Sequence, residues 1–409
     1  VYLHRLELVN FRCYRHLEID LPKGPILLVG ANAQGKTSLL EAAFVLATTR
    51  APYGILDRML IHWGAGDEVI PFSRVWGQVE RTGGPSTIDI VNVRTTATPG
   101  DERFTKRLRL DDAPRRAMDV IGTLNVVLFT PRDIDLIHGA PAERRRYLDV
   151  LLCQIDRNYV RALGQYNHVV VQRNHLLRRL RDRGGDRSEL AVWDEPLVTH
   201  GARILSRRAA AARQLDALAH QLHIELVGDD QRLGIAYRSQ VVEAGGDAAT
   251  DPTRSPDDLY AAPGVAADAA SAEAELAQRF RRLLAGRREE EIARGVSLIG
   301  PHRDDLELRL DGVDLRPFGS RGQQRTVTLA LKLAEAGVMW RTTGERPVLL
   351  LDDVLSELDR NRRQRLLAHV SAHEQALITT TDVTAVDHTQ LEHATVLDVA
   401  AAVVRKREV

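Results

Sequence analysis

Only two of the 409 residues are cysteine, Cys13 and Cys153, too few and too isolated for a disulfide framework. A thiolate metal site is excluded as well, and a reducing cytoplasm is the expected setting. Long hydrophobic runs are missing: the apolar stretches at 26–29 and 348–351 fall far below the roughly 20 residues of a membrane helix. Neither a basic leader nor an apolar signal core precedes the alternating segment 3–9, so no export signal and no membrane association are expected. Net charge is absent too, because 56 basic residues balance 56 acidic ones. Lysine is scarce, with five against fifty-one arginines.

The charge that is present is unevenly placed. Residues 141–213 hold fifteen Arg and no Lys against eight acids, a net of +7, whereas residues 214–275 hold twelve acids against three Arg, a net of −9. Such a sign change marks internal organisation and gives the first block a possible anionic partner. Apolar residues at 44% and charged residues at 27% are ordinary globular usage, and the length suits two to three domains.

Strand-like periodicity marks 3–9 and 88–93, a buried strand is expected at 25–30, and an apolar helix at 37–46. From 132 to 180 apolar residues recur at three- and four-residue steps, with a break at 139–141, and a second helical stretch begins near Pro196. Together they read as an antiparallel helical hairpin. Residues 243–272, rich in Ala, Asp, Gly and Pro, read as a mobile surface insertion. Beyond 294 a strand at 305–310, a hairpin turn at Asp311-Gly312, an apolar helix at 325–340 and a buried strand at 348–351 restore an α/β pattern. The expected division is an α/β head made of 1–126 and 296–409, with an inserted, mainly α-helical lobe at 127–295.

Gly30-Ala31-Asn32-Ala33-Gln34-Gly35-Lys36-Thr37 has the glycine spacing of a phosphate-binding loop and lies between a buried strand and a helix, where its mechanism requires it. Loop N–H groups would cradle phosphates, Lys36 would reach the outer ones, and Thr37 would ligate Mg²⁺. Such a loop needs a metal-side carboxylate. Leu349-Leu350-Leu351-Asp352-Asp353 supplies two acids at the end of a strand, Asp352 for the metal and Asp353 to orient or deprotonate the attacking water. ATP and Mg²⁺ are thus the expected ligands.

Phe318-Gly319-Ser320-Arg321-Gly322-Gln323-Gln324-Arg325 opens the apolar helix, and Ser356-Glu357-Leu358-Asp359 follows the carboxylates. By itself the first is a helix cap. In this order they resemble the signature motif, magnesium motif and D-loop of ATP-binding-cassette ATPases. That resemblance implies a composite site in which Ser320, Gly322 and Gln323 serve the nucleotide held by a second copy, so that ATP joins a homodimer.

Further segments narrow the likeness: Asn10-Phe11-Arg12, Phe129-Thr130-Pro131-Arg132-Asp133, Gly139-Ala140-Pro141-Ala142-Glu143-Arg144-Arg145 and Gly300-Pro301-His302-Arg303-Asp304-Asp305. With the signature and carboxylate motifs they resemble, nearly end to end, the RecF family of bacterial recombination mediators, related to SMC-type ATPase heads. The resemblance implies Arg12 as a nucleotide-site residue and weak, DNA-stimulated ATP hydrolysis. It also implies binding of single- and double-stranded DNA at gaps or junctions. RecO and RecR are the implied partners in loading RecA during repair, replication and the SOS response. Two departures stand out: Ala33 occupies a position where such loops commonly have Gly, and Thr379-Thr380-Thr381-Asp382 stands where transporter ATPases carry a His.

The arginine clusters Arg144, Arg145, Arg146 and Arg178, Arg179, Arg181 are the candidate DNA contacts, able to neutralise phosphates without reading bases. As plain sequence they are equally a solvated helix face. Two other functions fit parts of the pattern: the ATPase subunit of a transporter, and a structural SMC-like DNA clamp.

Overall fold

The computed structural model describes residues 1–67, 70–96, 102–244, 269–381 and 394–407. At its centre is a six-stranded sheet in the order β15-β14-β3-β13-β12-β8. Its strands are β3 (Gly24–Val29), β8 (Val126–Phe129), β12 (Val348–Leu351), β13 (Gln375–Thr380), β14 (Thr395–Ala400) and β15 (Val403–Lys406). All neighbours run parallel except the β14/β15 hairpin. The runs Ile26-Leu27-Leu28-Val29, Val126-Val127-Leu128-Phe129 and Val348-Leu349-Leu350-Leu351 are apolar at every position because both faces of a parallel sheet are covered.

Alternate residues of these strands feed two cores. Leu27, Val29, Val127, Phe129, Leu349 and Leu351 face one of them, and Ile26, Leu28, Val126, Leu128, Val348 and Leu350 the other. Helix α1 (Lys36–Thr48) belongs to the second core, which is closed by an antiparallel sheet, order β2-β1-β4-β5-β6-β7. Its strands are β1 (Tyr2–Phe11), β2 (Tyr14–Asp20), β4 (Phe72–Glu80), β5 (Ser86–Thr96), β6 (Glu102–Leu110) and β7 (Ala113–Pro114). The first core takes in helices α2 (Pro141–Ile155), α4 (Ala191–Val227), α6 (Arg321–Thr343) and α7 (Arg360–Ser371). A small sheet of β9 (Leu233–Arg238), β10 (Asp305–Leu310) and β11 (Val313–Asp314) joins it.

Among the described residues the two helices of the expected hairpin pack with a third. Helix α3 (Arg157–Arg183) and α4 pack with α5 (Ala269–Arg294). Arg173, fully buried on α3, joins all three by pairing with Asp194 at 2.8 Å and Glu291 at 2.6 Å. The α-periodic stretch expected to run on to 180 breaks at Asp156, whose carboxylate accepts from the N–H groups of Asn158 and Tyr159 and caps α3. Helix α4 starts five residues before Pro196 because Leu190 is already seated against Leu177, Leu180 and Ile292. The expected boundary at 126 cuts through β8, and β9 leaves the middle segment to pair with β10. Most of the expected mobile insertion, 245–268, lies outside the described residues, while its ends fall in the helix Gln240–Glu243 and in α5. Among the described residues no helix is long and apolar enough to cross a membrane.

Candidate active site

The loop 30–37 leaves β3 at its carboxyl end and enters α1, and the ends of β13 and β12 lie alongside in the same direction. Two glycines are demanded by close approach. A Cβ on Gly30 would stand 2.1 Å from the carbonyl oxygen of Val399 on β14. Gly35 has φ +109°, and its Cβ would meet Tyr14 Oη at 2.8 Å and Cys13 Sγ at 2.9 Å. Ala33 holds φ 63°, a left-handed conformation that costs an L residue about 1–2 kcal/mol, which explains why Gly is common there. Gln34 fixes the loop to the β14/β15 turn by accepting the N–H of Ala401 at 2.6 Å on its side chain. Ala31, Asn32 and Ala33 remain exposed, and α1 has no side-chain cap, so its first N–H groups stay open to an anion.

Lys36 is buried, and its Nζ donates to the carbonyls of Gly30 at 2.5 Å and Ala31 at 2.8 Å. Burial draws its pKa below the ordinary lysine range, against the opposing pull of Asp353 and Asp352. Thr37 Oγ1 donates to Asp352 Oδ1 at 2.9 Å, closing a gap of 315 residues. Burial raises the Asp352 carboxyl, while hydrogen bonds from Thr37 and Thr379 lower it. Asp353 sits at φ 51°, and its N–H donates to Thr379 Oγ1 at 2.8 Å. The same hydroxyl donates to Asp352 Oδ1 at 3.0 Å, so Thr379 positions both acids. By sequence its Thr-Thr-Thr-Asp segment is notable only for a missing His; Asp382 lies outside the described residues.

The donor set fits a magnesium nucleotide: a hydroxyl and a carboxylate share one edge of the loop, and an ammonium already bridges two loop carbonyls where it would meet phosphate. Thr37 and Asp352 would hold the metal, and Lys36 the outer phosphates.

Arg12 lies beside the loop with its guanidinium held by both Glu41 oxygens at 2.7 Å and by the Met59 carbonyl at 3.2 Å. Ser320 caps α6 in a capping box with Gln323, whose side chain accepts the Ser320 N–H at 2.9 Å. Ser320, Arg321 and Gly322 are exposed, and Phe318 before them is 74% exposed. Helices α1 and α6 cover opposite faces of the central sheet, and the hydrogen bonds of the signature turn do not reach the phosphate loop. Arg325 of α6 pairs with Glu357 after the carboxylates at 3.2 Å.

Arg144 corrects the expected DNA cluster. It is 1% exposed and forms a bidentate pair with Asp305 at 2.6 and 3.0 Å, with further bonds to the carbonyls of Leu136, Ile137 and Gly139. It joins α2 to β10 and offers nothing to a phosphate chain. Arg144→Leu is therefore expected to destabilise the fold by about 3 kcal/mol, the low end for breaking a buried pair because Arg316 stays beside Asp305. Chemical denaturation measures it, and an unchanged midpoint would return Arg144 to the surface. Arg145 and Arg146 are half-buried and donate to the carbonyls of Asp304 and Ala51. Arg178, Arg179 and Arg181 are exposed, but Arg179 pairs with Glu189 and Arg181 with Asp182, which weakens their joint field.

A phosphate loop facing a carboxylate strand, with a capped signature helix on the opposite face, defines an ATPase head of the ABC and SMC type. The family model described as RecF/RecN/SMC N terminal domain matches residues 2–404. The DNA replication and repair protein RecF of Chloroflexus aurantiacus is 45% identical over 393 residues, covering 94% of each chain. That of Halalkalibacterium halodurans is 33% identical over 407 residues and the full length of both. A solved structure of the recombination mediator protein RecF with ATP in the RecFOR pathway aligns with TM-score 0.81 and 28% identity, over 100% of this chain and 98% of that one. An Smc head from Pyrococcus furiosus, at TM-score 0.52 and 14% identity, shares the fold. The chain belongs to the RecF family of DNA replication and repair proteins.

Proposed function

We propose that the chain is an ATP-dependent, dimerising DNA-binding ATPase that recognises gapped or junction DNA and, with RecO and RecR, helps load RecA. The observation that carries it is the Thr37–Asp352 contact, which assembles a magnesium-nucleotide site from the two ends of a RecF-family chain. In this reading the head is 1–129 with 296–409, and the lobe between them is inserted. Mg²⁺, when bound, offsets phosphate charge. The protein's part is to hold the phosphates with Lys36 and the loop N–H groups, and to take a proton from water at Asp353. An Asp base and a Thr in place of His suit slow, DNA-stimulated turnover.

The exposed signature turn supports dimerisation, since it lies on the sheet face away from α1 and is free to meet a second copy's nucleotide. Half-buried Arg145 and Arg146 and exposed Arg178, Arg179 and Arg181 are the remaining candidate contacts to single- or double-stranded DNA. Family membership leaves the transporter-subunit reading without support. Among the described residues the longest helix, at 37 residues, spans only about 55 Å, short of the rod of an SMC-like clamp.

Sedimentation with and without ATP and gapped duplex tests the whole reading. Ser320→Arg is expected to keep monomer ATP affinity within about twofold while raising the concentration for ATP-induced dimerisation by on the order of tenfold or more, through an unpaired charge at the interface. A variant dimer with wild-type concentration dependence would show that the signature turn does not complete a shared site.

A further inference from the structure

Where the head meets the helical lobe, a cleft of about 510 Å³ opens between the C-terminal end of α1, helices α2 to α4 and the loop at Pro301 and His302. This is the size of a small-molecule site, roughly 300–1,000 Å³. Five arginines line it, Arg50, Arg116, Arg145, Arg146 and Arg208, against a single carboxylate, Asp149. That carboxylate is already committed, accepting from Arg208 at 2.7 Å and from Tyr159. Arg145 and Arg146 donate to main-chain carbonyls, and the carboxylates that act on them, Asp305, Asp304 and Asp149 on the first and Glu143 on the second, do so without a direct ion pair. Among the described residues none of Arg50, Arg116, Arg145 and Arg146 forms an ion pair, although arginines elsewhere in the lobe repeatedly do. Burial lowers the pKa of both Arg145 and Arg146; Arg208 adds to the effect at Arg145 against the pull of Asp305, Asp304 and Asp149, and at Arg146 the pull of Glu143 opposes it while Arg50 adds to it.

Four guanidinium groups without a direct ion pair, gathered in one concavity, repel one another, and an anion of several charges would relieve that cost. Phe44, Ile121, Val150 and Ile204 give the cleft an apolar wall beside the charge. With Asp149 occupied, no carboxylate is free to carry a metal with the anion. The cleft is also separate from the phosphate loop, because α1, 13 residues and about 20 Å long, lies between them.

We propose that this cleft is a second anion site, taking a chain of two or more phosphates without a metal ion, either as a free polyphosphate or as the backbone of a nucleic-acid strand. The test uses the full chain carrying Lys36→Ala, with inorganic tripolyphosphate as the probe in calorimetry without Mg²⁺. One site is expected. Adding Arg50→Gln and Arg116→Gln, two exposed positions, should weaken it by at least about tenfold, as loss of charge-assisted hydrogen bonds requires. The control Arg178→Gln, Arg179→Gln, Arg181→Gln should change it less than twofold. Competition by a ten-residue single-stranded oligonucleotide would assign the site to a strand backbone, and its absence to a free polyphosphate. No tripolyphosphate binding, unchanged binding in the Arg50/Arg116 variant, or an equal loss in the control would each overturn the proposal. Otherwise wild-type Arg50→Gln, Arg116→Gln protein keeps magnesium-dependent ATP binding at the phosphate loop, so the two sites fail separately.

Discussion

Lys36→Ala is expected to abolish magnesium-dependent ATP binding, lowering affinity by at least about 100-fold, since two charge-assisted hydrogen bonds at about 1.5–3 kcal/mol each are lost. The structure shows why no neighbour substitutes. The Lys36 ammonium sits on the carbonyls of Gly30 and Ala31, inside the loop, and the other groups beside it are the acids Asp352 and Asp353. Without Lys36 the site would present open N–H groups but no cation. The Gly30 and Gly35 geometry rests on backbone packing against Val399 and Tyr14, so the fold should persist. Equilibrium binding of a labelled ATP analogue with Mg²⁺ checks the first point, and thermal melting the second. Near-wild-type affinity in a folded variant would remove the phosphate loop from the function.

Asp353→Asn is expected to slow hydrolysis by on the order of 100-fold or more and to leave the ATP-bound dimer standing on DNA, because Asn keeps the size but cannot accept a proton. The Asp353 N–H bond to Thr379 is a main-chain contact and survives the change, so the turn at φ 51° should hold its shape. Asp352→Asn should behave differently. It halves the negative charge beside Thr37 and disturbs the oxygen that accepts from both Thr37 and Thr379, so nucleotide binding weakens before any chemistry. The readout is dimer lifetime on DNA after excess ATP is removed. A lifetime no longer than wild type with unchanged hydrolysis would take the proton-accepting role from Asp353 and turn attention to Glu357, which the Arg325 pair holds nearby.

The motifs that carry local chemistry were readable because each is a short run whose backbone does the work. The loop 30–37 declares itself by glycine spacing, the turn at 318–325 as a helix cap, and the apolar runs of β3 and β12 by burial on both faces, although the helix itself starts at Arg321 and not at 325. What failed was charge counting. Arg144 and Arg145 are adjacent letters, yet one is sealed against Asp305 and the other lines a cleft, since successive helical residues lie about 100° apart and meet different neighbours.

The sequence by itself determined the nucleotide chemistry of this protein and its RecF-type order of motifs, because those depend on residues close together along the chain. The meeting of Thr37 and Asp352 across 315 residues is expected from those motifs, whereas tertiary structure alone decided that Thr379 holds both acids and that α5 packs on α3 and α4 through Glu291 and Arg173. It alone also decided which arginines are spent on structural ion pairs and which form none. Pairing between distant segments follows from sheet order and helix packing, and no local pattern of residues encodes which partner a charge will find.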